Sequence, residues 1–232
     1  MPTKRKQQYH QQQLKNYSLF STMKYTLSYK NFVIASILTM VSAITLFIVN
    51  SLLGNEAFFL FLNNNYSLFA DASFAFITHL GEEAGWVTLF LFVIFFRRQF
   101  LPLIVIALII STIFVQGLKN SLPEQARPTK AISNLNLIHT VKGVDLLSLH
   151  SFPSGHTTAA FTVFLLACLL IHKRWIIPVT FIYALAVGYS RIYLAQHFPK
   201  DVAGGMLVAV ISVCFSVALQ QLIVNKFYKT KN

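Results

Sequence analysis

Residues 31–55 read NFVIASILTMVSAITLFIVNSLLGN, a run of 25 residues without an Asp, Glu, Lys or Arg. A helix of about 20 apolar residues is long enough to cross the hydrocarbon core of a bilayer, so this run predicts a membrane-spanning helix. The whole chain has a similar character, because 55% of its 232 residues are hydrophobic and 11% are charged. Ordinary soluble domains carry about 25% charged residues. The composition therefore excludes a free cytosolic enzyme, a disordered chain and a collagen-like fibre.

Five further stretches have the apolar character of membrane spans. They are residues 77–96, 99–118, 157–171, 175–190 and 202–225. The first of these five reaches a spanning length only if Glu82 and Glu83 lie near the membrane interface. We therefore predict an all-α, polytopic membrane protein with six transmembrane helices in one domain, residues 31–228. A basic, Gln-rich segment, residues 1–30, is predicted to precede it as a cytoplasmic tail.

The net charge of +12 is also typical of nucleic-acid-binding proteins, but its distribution along the chain indicates a membrane topology. With the N-terminus inside, most basic residues fall on the cytoplasmic side, and all seven acidic residues fall outside or at the outer edge. This is the positive-inside pattern of multi-pass proteins. We expect both termini to be cytoplasmic, the protein to lie in the cytoplasmic (inner) membrane, and no nucleic acid to bind.

Several basic and polar residues remain on the predicted outer side, next to the ends of the spans. They are Lys119, Arg127-Pro128, Phe152-Pro153-Ser154-Gly155-His156, Ser190-Arg191, His197 and Asp201. Because these segments share one side of the membrane in the predicted topology, they can meet at one site on the periplasmic or extracytoplasmic face.

These residue types suit phosphoryl transfer. Arginine offers a planar fork of donors and lysine a point charge for phosphate oxygens. Ser154-Gly155-His156 is predicted at a helix N-terminus, where free N–H groups and the helix dipole attract an anion. His197 and Asp201 are four positions apart, so they share a face if they lie on a helix. The carboxylate can then fix the tautomer of the imidazole, while His156 supplies a second imidazole as a general acid.

Each of these residues, taken alone, also has a purely structural explanation. Lys119 can be an interface lysine, Ser154 a helix cap, and His197 with Asp201 a buried hydrogen-bonded pair. Three other histidines of the predicted outer side, His79, His139 and His150, do not stand at a spacing typical of metal ligands. The pattern therefore favours a phosphate site without a metal.

The order of the motifs resembles the type-2 phosphatidic acid phosphatase superfamily, which also includes the vanadium haloperoxidases. Its signature is Lys-x6-Arg-Pro, then Pro-Ser-Gly-His, then Ser-Arg-x5-His-x3-Asp. Residues 153–156 match the second part and residues 190–201 match the third part in full. The first part differs, because seven residues separate Lys119 from Arg127 instead of six. The resemblance extends from Phe100 to Val224.

The resemblance implies a role for each matched residue. His197 is expected to be the nucleophile that forms a phosphohistidine, Asp201 to orient it, and His156 to protonate the leaving oxygen and then activate water. The residues expected to bind phosphate are Lys119, Arg127, Ser154, Gly155 and Arg191. The resemblance implies no metal and no cofactor, since fixed cations supply the electrostatic stabilisation.

The expected activity is that of an integral membrane phosphatase acting on a phosphorylated lipid in the bilayer. Undecaprenyl pyrophosphate, phosphatidylglycerol phosphate, phosphatidic acid and a lipid A phosphate are the candidate substrates. Within the enzymes, a lipid phosphotransferase with the same phosphohistidine is the alternative, and a vanadate-dependent peroxidase is less favoured. From another class, a six-helix transporter is the alternative. Transporters place ionisable residues near the bilayer midplane, whereas no predicted span here has one at its middle.

Reporter fusions test the predicted topology. A reporter fused after Arg98 should lie in the cytoplasm and one fused after Lys142 on the outer side, because the basic residues are distributed that way. A fusion after Lys173 serves as a control and should agree with the fusion after Arg98. Finding the reporters at Arg98 and Lys142 in the same compartment would contradict the topology.

Overall fold

In a computed structural model the protein is helical, with no strand among the described residues, which are residues 11, 27–64 and 66–229. The predicted tail, residues 1–30, lies largely outside them. In chain order the helices are α1 (Tyr29–Leu53), α2 (Asn55–Leu62), α3 (Leu68–His79), α4 (Gly85–Phe96), α5 (Leu101–Ser121), α6 (Pro128–Ala131), α7 (Gly155–Leu170), α8 (Ile176–Tyr193) and α9 (Pro199–Lys229).

Four helical segments of the described chain are long and apolar enough to cross a membrane. They are Tyr29–Leu53, Arg98–Ser121, Ile176–Tyr193 and Pro199–Asn225. Helices α4 and α7 are also apolar but shorter, with 12 and 16 residues. The predicted all-α, multi-pass membrane architecture is therefore confirmed, whereas the count of six spanning helices stays a prediction.

Helix α7 is the centre of the bundle. Nearly all of its side chains are buried, and it packs against α1, α5, α8 and α9. Gly205 allows α9 to approach α7 closely, since an added Cβ would lie 2.7 Å from the carbonyl oxygen of Ser154 and 3.0 Å from Cβ of Thr157. The start of α9 is therefore held against the start of α7.

A π-helical turn, Leu80–Ala84, joins α3 to α4 in one continuous helical segment that contains the predicted span 77–96. Helix α8 packs directly on this turn, because side chains at Gly81 and Gly85 would overlap Val187 and Tyr183. The hydroxyl of Tyr183 donates to the carbonyl oxygen of Leu80 at 2.7 Å. A π-helical turn interrupts the regular backbone hydrogen bonding of an α-helix. The hydroxyl of Tyr183 supplies a hydrogen-bond donor to a carbonyl oxygen of this turn.

Asn63 ties the long loop between α5 and α7, residues 122–154, to the end of α8. Its Oδ1 accepts a hydrogen bond from the backbone N–H of His139 at 2.7 Å, and its Nδ2 donates to the carbonyl oxygen of Tyr193 at 2.8 Å. The ring of His139 stacks on Tyr66 with 4.1 Å between centroids, and its Nε2 lies 2.8 Å from Oδ1 of Asp71. The 122–154 loop is thus fixed to α3 and to the last turn of α8.

We expect Asn63→Ala to lower the free energy of unfolding by about 1–3 kcal/mol, because it leaves buried donors and acceptors without partners. Asn64→Ala is the matched control, since Asn64 is the exposed neighbour. Thermal unfolding of both variants in detergent measures the difference. Equal melting temperatures for the two variants would show that the loop does not depend on Asn63.

Candidate active site

The segments with the motif residues meet at one end of the bundle, where α7 begins, α8 ends and α9 begins. Ser154 is the N-cap of α7, and its Oγ accepts hydrogen bonds from Thr157 Oγ1 at 2.9 Å and Thr157 N at 3.4 Å. Its own backbone N–H donates to the carbonyl oxygen of Asp201 at 3.0 Å. The hydroxyl proton of Ser154 is therefore the donor that this residue can offer to an anion.

His197 and Asp201 form a buried pair, but not on one helix. Nδ1 of His197 lies 3.7 Å from Oδ2 of Asp201, and the two side chains are 2% and 0% exposed. Helix α9 begins at Pro199, a favoured first residue of a helix, so His197 lies in the turn before it. The expectation of a shared helix face was wrong for this reason. A backbone hydrogen bond from His197 to the carbonyl oxygen of Arg191, 3.1 Å, fixes the turn instead.

The Asp201 carboxylate has two close donors that the motifs do not specify. Oδ2 accepts from the hydroxyl of Ser151 at 2.5 Å and from the backbone N–H of Phe198 at 2.9 Å. The sequence signal for Ser151 was weak, because only its position shortly before the Pro-Ser-Gly-His motif distinguishes it from other serines. Its role depends on where the 122–154 loop returns to the bundle.

Arg127 reaches His197 despite the seven-residue spacing from Lys119. Its Nη1 lies 3.5 Å from Nε2 of His197. The guanidinium is held from the sides, since Nε donates to the carbonyl oxygen of Leu149 at 2.8 Å and Nη1 donates to that of Gln196 at 3.1 Å. Burial lowers the pKa of Arg127 from its ordinary value, an effect that the charge of Asp201 opposes. Gln196, whose carbonyl oxygen helps to hold Arg127, was not among the residues predicted from the sequence.

Arg191 lies in the last turn of α8 and is buried. Its Nη1 contacts the hydroxyl of Thr78, which is buried in α3 just before the π-helical turn. Thr78 was not expected at the site, because nothing in its sequence neighbourhood points to a phosphate. The contact shows that α3 helps to orient an arginine that belongs to α8.

Lys119, His156 and Gly155 complete the set of predicted residues at this end of the bundle. Lys119 lies in the last turn of α5, and His156 in the first turn of α7. His156 is close enough to Arg191, Arg127 and Lys119 to experience their positive charges. An added Cβ at Gly155 would meet only Val115, at 3.8 Å. Packing therefore does not require a glycine there, and the space beside its backbone is open.

Burial lowers the pKa of His197 to about 4, and the charges of Arg127 and Arg191 act in the same direction, against the negative charge of Asp201. The imidazole is therefore neutral above about pH 4. With the Nδ1 proton directed at Asp201, Nε2 carries the lone pair. This nitrogen is the one beside Arg127, so the lone pair and the cation face the same space.

Comparisons with known proteins show the family to which the chain belongs. The model of the PAP2 superfamily matches residues 100–224, which include all eight predicted site residues. YbjG of Escherichia coli K12 is 32% identical over 143 residues, which cover 62% of this chain and 68% of that protein. An undecaprenyl-diphosphatase of Sulfolobus acidocaldarius is 29% identical over 161 residues, which cover 66% and 72%. The crystal structure of LpxE from Aquifex aeolicus superposes with a TM-score of 0.61 at 30% identity, covering 69% of this chain and 92% of that one.

We expect Arg127→Lys to weaken the binding of inorganic phosphate by about tenfold or more, because a lysine keeps the charge but loses the planar fork. Lys130→Arg is the matched control, an exposed cation of the same loop. Inhibition by inorganic phosphate, or calorimetric titration in detergent, measures both. Unchanged binding by Arg127→Lys would remove Arg127 from the phosphate site.

Proposed function

Because the chain belongs to the PAP2 superfamily and is a membrane lipid phosphatase, we propose that it acts through a phosphohistidine on His197. The observation that carries this proposal is the placement of the two ring nitrogens. Nδ1 faces Asp201 at 3.7 Å, and Nε2 faces Arg127 at 3.5 Å. A neutral imidazole with its free lone pair directed at a cation is poised to attack phosphorus once the cation holds the phosphate.

In the first step, Nε2 of His197 forms a bond to phosphorus while the bond from phosphorus to the leaving oxygen breaks. The Nδ1 proton stays on the ring, and the Asp201 carboxylate stabilises the positive charge that develops there. His156, which becomes protonated once the bound phosphate offsets the cations that lower its pKa, gives this proton to the leaving oxygen. The phosphate oxygens bind Lys119, Arg127, Arg191 and the hydroxyl of Ser154. In the second step, His156 takes a proton from water, water attacks phosphorus, and the N–P bond breaks to release phosphate.

We further propose that this chemistry needs no divalent metal, because three fixed cations of the protein meet the charge of the phosphate. The lipid product keeps its tails in the bilayer throughout. The distribution of basic residues supports an active site on the outer face of the cytoplasmic membrane, with cytoplasmic termini. Undecaprenyl pyrophosphate is the first substrate to test, since the relative of S. acidocaldarius is named for it.

Phosphate release by the purified protein tests the proposal. Undecaprenyl pyrophosphate, phosphatidylglycerol phosphate, phosphatidic acid and a lipid A phosphate are supplied in turn, with and without EDTA. We expect release that survives EDTA, and a loss of about 1000-fold or more for His197→Ala, which removes the nucleophile. His172→Ala, an exposed histidine at the other end of α7, is the matched control. A strict need for magnesium, or activity of His197→Ala equal to the control, would contradict the proposal.

The same preparation separates nucleophile from acid. His156→Ala should lose most activity on lipid substrates, whose leaving oxygen must be protonated. With nitrophenyl phosphate, a good leaving group, the first step should partly recover and phosphoenzyme should accumulate, because water still lacks its base. Rapid quenching followed by mass spectrometry locates the phosphate. Phosphate on His156 in the wild type would reverse the two roles.

A further inference from the structure

The 122–154 loop acts on both ring nitrogens of His197, directly on Nε2 and through Asp201 on Nδ1. Residues 125–127 and 148–151 of this loop run beside each other, since Ser151 N donates to the carbonyl oxygen of Gln125 at 3.1 Å and Arg127 N donates to that of Ser148 at 2.9 Å. On one side the loop places Arg127 beside Nε2. On the other side it places the Ser151 hydroxyl on Asp201, the partner of Nδ1. Ser151 itself is fully buried.

Ser151 and His197 share a single oxygen of the carboxylate. Oδ2 of Asp201 lies 2.5 Å from Ser151 Oγ and 3.7 Å from His197 Nδ1. The first distance is that of a charge-assisted hydrogen bond, whereas the second is beyond hydrogen-bonding distance. Phe198 N holds the same oxygen at 2.9 Å. The negative charge of Asp201 is therefore divided between Ser151, Phe198 and His197, and Ser151 is the closest of the three.

We propose that Ser151 is a positioning residue, whose hydroxyl fixes the Asp201 carboxylate relative to His197 and thereby couples the 122–154 loop to the nucleophile. The hydroxyl donates its proton to Oδ2, and no bond is made or broken in this role. By taking part of the charge, Ser151 keeps the imidazole neutral and its lone pair available. The inference rests on the proposed role of His197 as the nucleophile.

Charged groups from every neighbouring element act on His197, so the effect of Ser151 must be separated from theirs. Arg127 of the loop and Arg191 of α8 disfavour its protonation, and Asp201 of α9 favours it. His156 of α7 interacts with His197 as a further titrating group, and Lys119 of α5 lies in the field of Asp201. None of these side chains changes in a Ser151 variant, which makes the pH profile a specific readout.

The test is the pH dependence of kcat/KM for phosphate release, measured for Ser151→Ala, Ser151→Thr and the wild type. Without the hydroxyl, more of the carboxylate charge acts on His197, which then keeps its proton to a higher pH. Since only the neutral imidazole attacks, the acidic limb of the profile should move up by about one pH unit. The rate should fall mainly in kcat, with KM within about twofold, because Ser151 does not contact the phosphate.

Ser151→Thr keeps the hydroxyl and should restore the wild-type profile. Ser148→Ala, an exposed serine of the same loop that contributes only its carbonyl oxygen to Arg127, is the matched control and should leave the profile unchanged. If Ser151→Ala does not fold, Ser151→Cys provides the same test with a smaller shift, since a thiol is a weaker donor. In an Asp201→Asn background, Ser151→Ala should cause no further shift, because the shared charge is gone.

The proposal would be overturned if Ser151→Ala lowered activity but left the acidic limb of the pH profile where it is in the wild type. It would also be overturned if the fall in kcat/KM came entirely from a higher KM. A shift of equal size in the Asp201→Asn background would also overturn it. These outcomes differ from a failure of the proposed function, in which the wild type forms no phosphohistidine on His197. The Ser151 variants are therefore compared only after the wild-type phosphoenzyme has been located.

Discussion

The carboxylate of Asp201 is the point on which the arrangement of the site depends. A buried charge without partners is costly, so the chain around it must supply donors. Those donors come from the 122–154 loop through Ser151 and from the turn before α9 through Phe198. The backbone of the same residue accepts a hydrogen bond from Ser154, at the start of α7. Residues 151–154 are thus joined to the start of α9 through one residue, and the position of His197 depends on this contact.

The charge balance of the site suits the binding of a phosphate group. The site brings together the side chains of Lys119, Arg127 and Arg191 with the single carboxylate of Asp201. In the empty site His197 and His156 are both neutral at physiological pH, because burial and the nearby cations lower their pKa, so two positive charges are in excess in a place largely shielded from water. A phosphate group carries about −1.5 to −2 at pH 7. A bound phosphate group cancels the excess positive charge. The cations, which repel one another in the empty site, are then each attracted to the phosphate.

Much of this arrangement could be predicted from the sequence, because it depends on local patterns. Uncharged runs indicated the membrane helices, and three motifs indicated which helix ends meet. The missing parts depend on long-range contacts. The side chains of Asn63, Ser151 and Gln196 act through the path of the 122–154 loop, which no periodicity describes. The start of α9 at Pro199 is a local exception, since proline is favoured at the first position of a helix.

The way Arg127 is held has a consequence for recognising related chains by their sequence. Its position is determined by the carbonyl oxygens of Leu149 and Gln196 and by the pairing of residues 125–127 with residues 148–151, not by its distance along the chain from Lys119. The intervening residues, 120–126, include the last two residues of α5 and then Pro123 in the loop, so this segment can gain a residue without moving the guanidinium. A pattern that demands a fixed number of residues between the first lysine and arginine would overlook this protein, whereas a pattern with a variable gap would find it.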